Sequence, residues 1–107
     1  IDKDTEEKIR EMQAIEQNLQ NMLMKKQAFQ LEVNETANAF EALSTSKGDV
    51  YKIVGQVMLK SNKSDLEKDL NEKKHLLGLR VKSIEKQETE LRSSLERLRN
   101  FIIEKAK

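Results

Sequence analysis

Two stretches of this chain bring an apolar residue back every 3.5 positions on average, and no proline interrupts either of them. That spacing marks the narrow seam of a coiled coil, whereas the helix of a globular domain carries a broader apolar face. In the first stretch, alternating steps of four and three give Met12, Ile15, Leu19, Met22, Lys26, Phe29, Val33, Thr36, Phe40 and Leu43. Eight of these ten are apolar. In the second they give Leu70, Lys74, Leu77, Val81, Ile84, Glu88, Leu91, Leu95, Leu98 and Ile102, again eight of ten. Most positions between are Glu, Gln, Asn, Lys or Ala, which for the most part favour helix. A helix of ~40 residues is ~60 Å long. A domain of 107 residues cannot wrap a helix of that length, so both are expected to project as arms.

Between the arms lies Val50-Tyr51-Lys52-Ile53-Val54-Gly55-Gln56-Val57-Met58-Leu59, seven of its ten residues apolar. β-Branched and aromatic residues around a glycine suit a strand pair with a reversal at Gly55. A lone hairpin is marginal in water. The seam residues of the arms are used on each other, so the hairpin residues Val50, Tyr51, Ile53, Val54, Gly55, Val57, Met58 and Leu59 are expected to need cover from other chains. The expected fold is mostly α: one unit over 1–107, with a first helix at about 4–44, a β-hairpin at 49–61 and a second helix at 64–105. The cluster Ser44 to Asp49 ends the first helix. Ser64 and Glu67 have the spacing of a capping box for the second, with Asp65 in its first turn.

Laid antiparallel around the hairpin, the seams pair Phe40 with Leu70, Val33 with Leu77 and Phe29 with Val81. They also pair Lys26 with Ile84, Leu19 with Leu91, Ile15 with Leu95 and Met12 with Leu98. Only the layer of Thr36 and Lys74 lacks an apolar member. Lys26 and Glu88 fall in neighbouring layers, where an ion pair would select the antiparallel register at some cost in stability. The opposite outcome has both side chains reaching out to water.

Composition excludes several functions. Twenty basic residues face nineteen acidic ones with the signs interleaved, which leaves no footprint for nucleic acid or an anionic membrane. There is no cysteine, the three glycines make no phosphate loop, and the single histidine, His75, has no second ligand beside it. No catalytic, cofactor or metal residue is assigned, and the chain reads as a non-enzyme. The absence of an apolar run of ~18 residues and of a leader-like N-terminus points to a cytoplasmic protein. Met12, Met22, Met24 and Met58 are read as packing residues, Met12 also as an adaptable contact. At the free ends of the arms, Phe101, Ile102 and Ile103 are consecutive and Ile9 is off the seam, with Ile1 before it. Ile9, Met12, Leu98, Phe101, Ile102 and Ile103 form a candidate apolar tip for a binding partner.

The order helix, hairpin, helix, with Val50-Tyr51-Lys52-Ile53-Val54-Gly55 in the hairpin and Arg80, Ile84, Gln87 and Glu88 on the second helix, resembles the β-type subunits of prefoldin. Ser44 to Lys63 has room for one hairpin, where the α-type subunits have two. The resemblance implies a hexamer of two α-type and four β-type subunits, joined by their hairpins into a β-barrel platform from which coiled coils hang. It also implies ATP-independent binding of unfolded proteins at the tips, as in archaeal members, and their delivery to a group II chaperonin. This sequence is shorter than that pattern at both ends, which touches the tip residues most. The alternative is a coiled-coil spacer or tether whose hairpin only dimerises.

Overall fold

A computed structural model describes residues 2–107, so Ile1 lies outside the described residues. Helix α1 spans Lys3–Thr45, strand β1 Val50–Val54, strand β2 Val57–Ser61 and helix α2 Lys63–Ala106. The chain divides into two compact units: Ala28–Val81, which carries the hairpin, and Ile1–Gln27 with Lys82–Lys107, which carries both termini.

In the hairpin unit the two strands pair antiparallel with Val54 opposite Val57, leaving a loop of two residues. Gly55 has φ +62°, and Gln56 does not have a positive φ. A positive φ at the first loop position alone is the type II′ turn, whose twist matches that of the flanking strands and whose first position favours glycine. Gly48, at φ +117°, redirects the chain from α1 into β1, a conformation that an L side chain rarely adopts.

The end of α1 is closed from outside the helix. Its last turn holds no basic residue, but Lys63, the first residue of α2, donates from Nζ to the carbonyls of Ser44 at 2.9 Å and Ser46 at 3.4 Å. One ammonium thus serves orphan carbonyls at the negative end of the helix dipole. The cap of α2 differs from the expected Ser64. The side chain of Asn62 accepts from the amides of Ser64 at 2.8 Å and Asp65 at 3.4 Å, and its carbonyl accepts from Leu66. Asparagine caps as well as serine does, and its position here starts the helix at Lys63. Asn62→Ala is therefore expected to cost about 1 kcal/mol, whereas Ser64→Ala is expected to gain a few tenths by helix propensity. Urea unfolding followed by helix signal checks the order; a larger loss at Ser64 would return the cap to it.

The seam residues of this unit, Phe29, Val33, Phe40, Leu70 and Val81, are half-buried, and Leu77 is buried at 5% exposure. Two helices alone can cover only part of each seam side chain, so partial burial is what a coiled-coil seam gives. Arg80 lies over the ring of Phe29, 5.7 Å from its centroid, which places α2 against α1 near the expected layer of Phe29 and Val81. The weakest expected layer resolves asymmetrically. Thr36 is buried and donates its hydroxyl to the carbonyl of Glu32 at 2.7 Å, whereas Lys74, expected on the seam, is exposed. A hydroxyl can be satisfied by its own helix, but an ammonium has no such partner and keeps its water.

In the unit with the termini, Met12, Ile15, Leu19, Met22, Leu91, Leu95 and Leu98 are half-buried and Ile84 is buried. The seam continues one heptad beyond Met12, with Lys8 half-buried and Thr5 buried. Asp2 caps α1 by accepting from the Thr5 amide at 2.7 Å. That bond and, to a lesser degree, the ammonium of Lys105 hold its carboxyl below the ordinary aspartate value. Met24 corrects the reading of all four methionines as packing residues. Two positions beyond Met22, it points away from the seam and is 60% exposed, and Met58 on β2 is exposed as well.

Candidate functional site

Three sets of residues carry chemistry that the fold does not itself consume. The first is the hairpin. Alternation along the paired strands puts Tyr51, Ile53 and Met58 on one face and Val50, Lys52, Val54, Val57 and Leu59 on the other. Exposure is high on both: Ile53 69%, Tyr51 52%, Val57 56% and Leu59 50%. Among the described residues, ion pairs hold the strands from Lys52 to Asp69 at 3.7 Å and from Lys60 to Asp49 at 3.6 Å. Ion pairs between exposed side chains contribute at most about 1 kcal/mol. Among the described residues, none covers either face.

The second set is polar and lies inside the unit with the termini. Lys26 donates from Nζ to Glu88 Oε1 at 2.8 Å, an ion pair and hydrogen bond across the two helices. Glu88 is the most deeply buried large side chain described, at 1% exposure. Its Oε2 has no hydrogen-bond partner and is met by the guanidinium of Arg92 at 3.6 Å, one turn on. Of the two outcomes weighed from sequence, the pair forms across the seam. Arg92 was legible only as the residue four positions after Glu88.

The third set is the candidate tip. Ile9, Met12, Leu98, Phe101 and Ile102 are half-buried, and of the six only Ile103 is exposed, at 49%. The expected exposed triplet is thus reduced by its neighbours. The ammonium groups of Lys8 and Lys105 each lie 5.9 Å from the centroid of the Phe101 ring, and Lys105 is paired with Asp2 at 3.7 Å. A phenyl ring with two cations on it remains reachable but presents a partly charged surface. An open groove of about 450 Å³ bounded by Ile15, Leu98 and Phe101 adjoins it.

His75 is exposed on α2. Among the described residues no group of His, Cys, Asp and Glu side chains is placed to hold a metal ion, and no helix is long and apolar enough to cross a membrane.

An uncovered central hairpin between two long helices is an uncommon arrangement, and comparison with known families resolves what it is. The model of the family described as "Prefoldin subunit" matches residues 6–107. The chain belongs to the prefoldin family. Similar proteins are the prefoldin subunits beta of Saccharolobus islandicus and Caldivirga maquilingensis. The first is 39% identical over 94 residues, 86% of this chain and 75% of the relative. The second is 34% identical over 93 residues, 85% and 77%. The crystal structure of the prefoldin beta subunit from Thermococcus strain KS-1 superposes with a TM-score of 0.88 at 29% identity, covering 95% of this chain and 91% of that one. The prefoldin likeness carried by the hairpin sequence and by the residues around Arg80 and Ile84 therefore extends over the fold. Prefoldin chains are subunits that assemble with other prefoldin subunits.

Proposed function

We propose that this chain is a subunit of an ATP-independent holdase that binds unfolded proteins and passes them to a group II chaperonin. The observation that carries the reading is the hairpin with both faces uncovered. It is the expected state of an element whose partners are the hairpins of neighbouring subunits. In this reading two α-type and four β-type chains form a cytoplasmic hexamer on a β-barrel platform, and the coiled-coil ends hold the client.

Such an end needs no pocket and no bound cofactor. Unfolded segments offer apolar side chains in no fixed order, and a small surface built of Phe101, Ile103, Ile9 and Met12 gives weak, replaceable contacts. Several ends acting on one client raise retention through effective concentration. The lysines on Phe101 favour clients whose apolar segments carry acidic flanks.

The test is suppression of aggregation of a chemically denatured protein by the complex assembled with an α-type prefoldin subunit, without nucleotide. Suppression is expected, and Phe101→Ser with Ile103→Ser is expected to reduce it several-fold while leaving the mass of the complex unchanged. Equal suppression by the double variant would move the client site elsewhere. A complex that suppresses nothing would leave the spacer or tether reading in its place.

A further inference from the structure

The four methionines differ in what oxidation of each would do. The chain has no cysteine, so a peroxide meets thioethers and no thiols. Met12 and Met22 are half-buried on the seam, whereas Met24 and Met58 are 60% and 64% exposed. The two exposed sulfurs are similarly open to attack but stand in different settings. Met24 lies on the outer side of α1, where a polar group keeps its water. Met58 lies on β2 directly opposite Ile53, on the hairpin face that also carries Tyr51. Oxidation puts a polar acceptor there, and the side chain of Ile53 has no donor to give it. Any surface that covers this face must then strip water from the sulfoxide without replacing its hydrogen bond from Ile53.

We propose that Met58 is a redox-modification site: peroxide converts its thioether to the sulfoxide in the unassembled chain, and the modified hairpin no longer joins a complex. The inference rests on the proposed role of the hairpin in assembly and adds the chemistry that turns it off. In the step, the Met58 sulfur attacks one oxygen of hydrogen peroxide. An S–O bond forms, the O–O bond breaks and water leaves; sulfur is oxidised by two electrons and the peroxide is reduced. A methionine sulfoxide reductase supplied with a thiol reverses the change. The aliphatic neighbours Ile53, Val54, Val57 and Leu59 are inert to the same oxidant, so Met58 alone among them turns from apolar to polar. Once the face is covered its sulfur is shielded, and the sensitivity is confined to chains that have yet to assemble.

The full chain is treated with dilute hydrogen peroxide, mapped by peptide mass, mixed with an α-type prefoldin subunit and sized by light scattering. Sulfoxide is expected at Met24 and Met58 before Met12 and Met22, with helix signal unchanged. Assembly is expected to weaken at least tenfold and to recover after treatment with the reductase. Met58→Leu keeps volume and apolar character, and is expected to assemble equally well before and after peroxide. Met24→Leu is expected to lose assembly on treatment as the parent chain does. Met58→Gln, polar without any oxidant, is expected to assemble as weakly as the oxidised chain. In a complex already formed, peroxide is expected to reach Met24 and spare Met58. Full assembly of a chain mapped as Met58 sulfoxide would overturn the proposal, and so would an equal loss in treated Met58→Leu. An untreated parent chain that joins no complex would overturn the hairpin reading itself, and the proposal with it.

Discussion

Lys26→Met is expected to destabilise the chain by about 3 kcal/mol, the cost of leaving one member of a buried ion pair unpaired. Glu88 would keep its carboxylate at 1% exposure, with Oε2 already lacking a hydrogen bond and Oε1 stripped of its 2.8 Å donor. Arg92 is a poor replacement at 3.6 Å, because its own side chain is 62% exposed and shares its charge with water. The reverse change is milder. After Glu88→Met, Lys26 can carry its ammonium to solvent along a flexible stem that is already 26% exposed. Thermal unfolding should show a drop on the order of 10 °C for Lys26→Met and a clearly smaller one for Glu88→Met. Equal losses would mean that the pair acts through packing and not through the buried charge. Replacing both by leucine should restore or raise stability, as apolar replacement of buried pairs often does. The price is specificity, because a polar layer tolerates fewer registers than a uniform one. A double-leucine chain with unchanged orientation and assembly would remove that role.

Ile53→Glu with Met58→Glu is expected to abolish assembly. The two residues stand directly opposite each other on one hairpin face, at 69% and 64% exposure, so within the chain the changes replace only their mutual cross-strand contact by a like-charge pair. Burying even one unpaired carboxylate in an interface costs several kcal/mol, enough to change an association constant by more than a hundredfold. Helix signal should persist, because the hairpin contributes nothing to the seam. Light scattering of the variant mixed with an α-type subunit checks it. A complex of unaltered mass would show that this face is free in the assembly.

Much of the fold was legible because it rests on repetition. The four–three steps that pass through Met12, Phe29 and Leu91 identify the half-buried positions, since a coiled-coil seam is fixed by spacing alone. The hairpin was legible from β-branched residues around Gly55, the one position where the turn requires a positive φ. What escaped was local and three-dimensional. The cap of α2 is Asn62 and not Ser64, because two residues of similar capping strength stand two positions apart and sequence alone does not rank them. The candidate tip looked apolar from Phe101, Ile102 and Ile103, but Lys8 approaches Phe101 from the other helix, which spacing within one helix cannot reveal.

The central claim is that the uncovered hairpin makes this chain a subunit of a larger complex. The mass in solution of the chain mixed with an α-type prefoldin subunit tests it most directly. The account predicts a hexamer of two α-type and four β-type chains; a largest species no bigger than a dimer would contradict it.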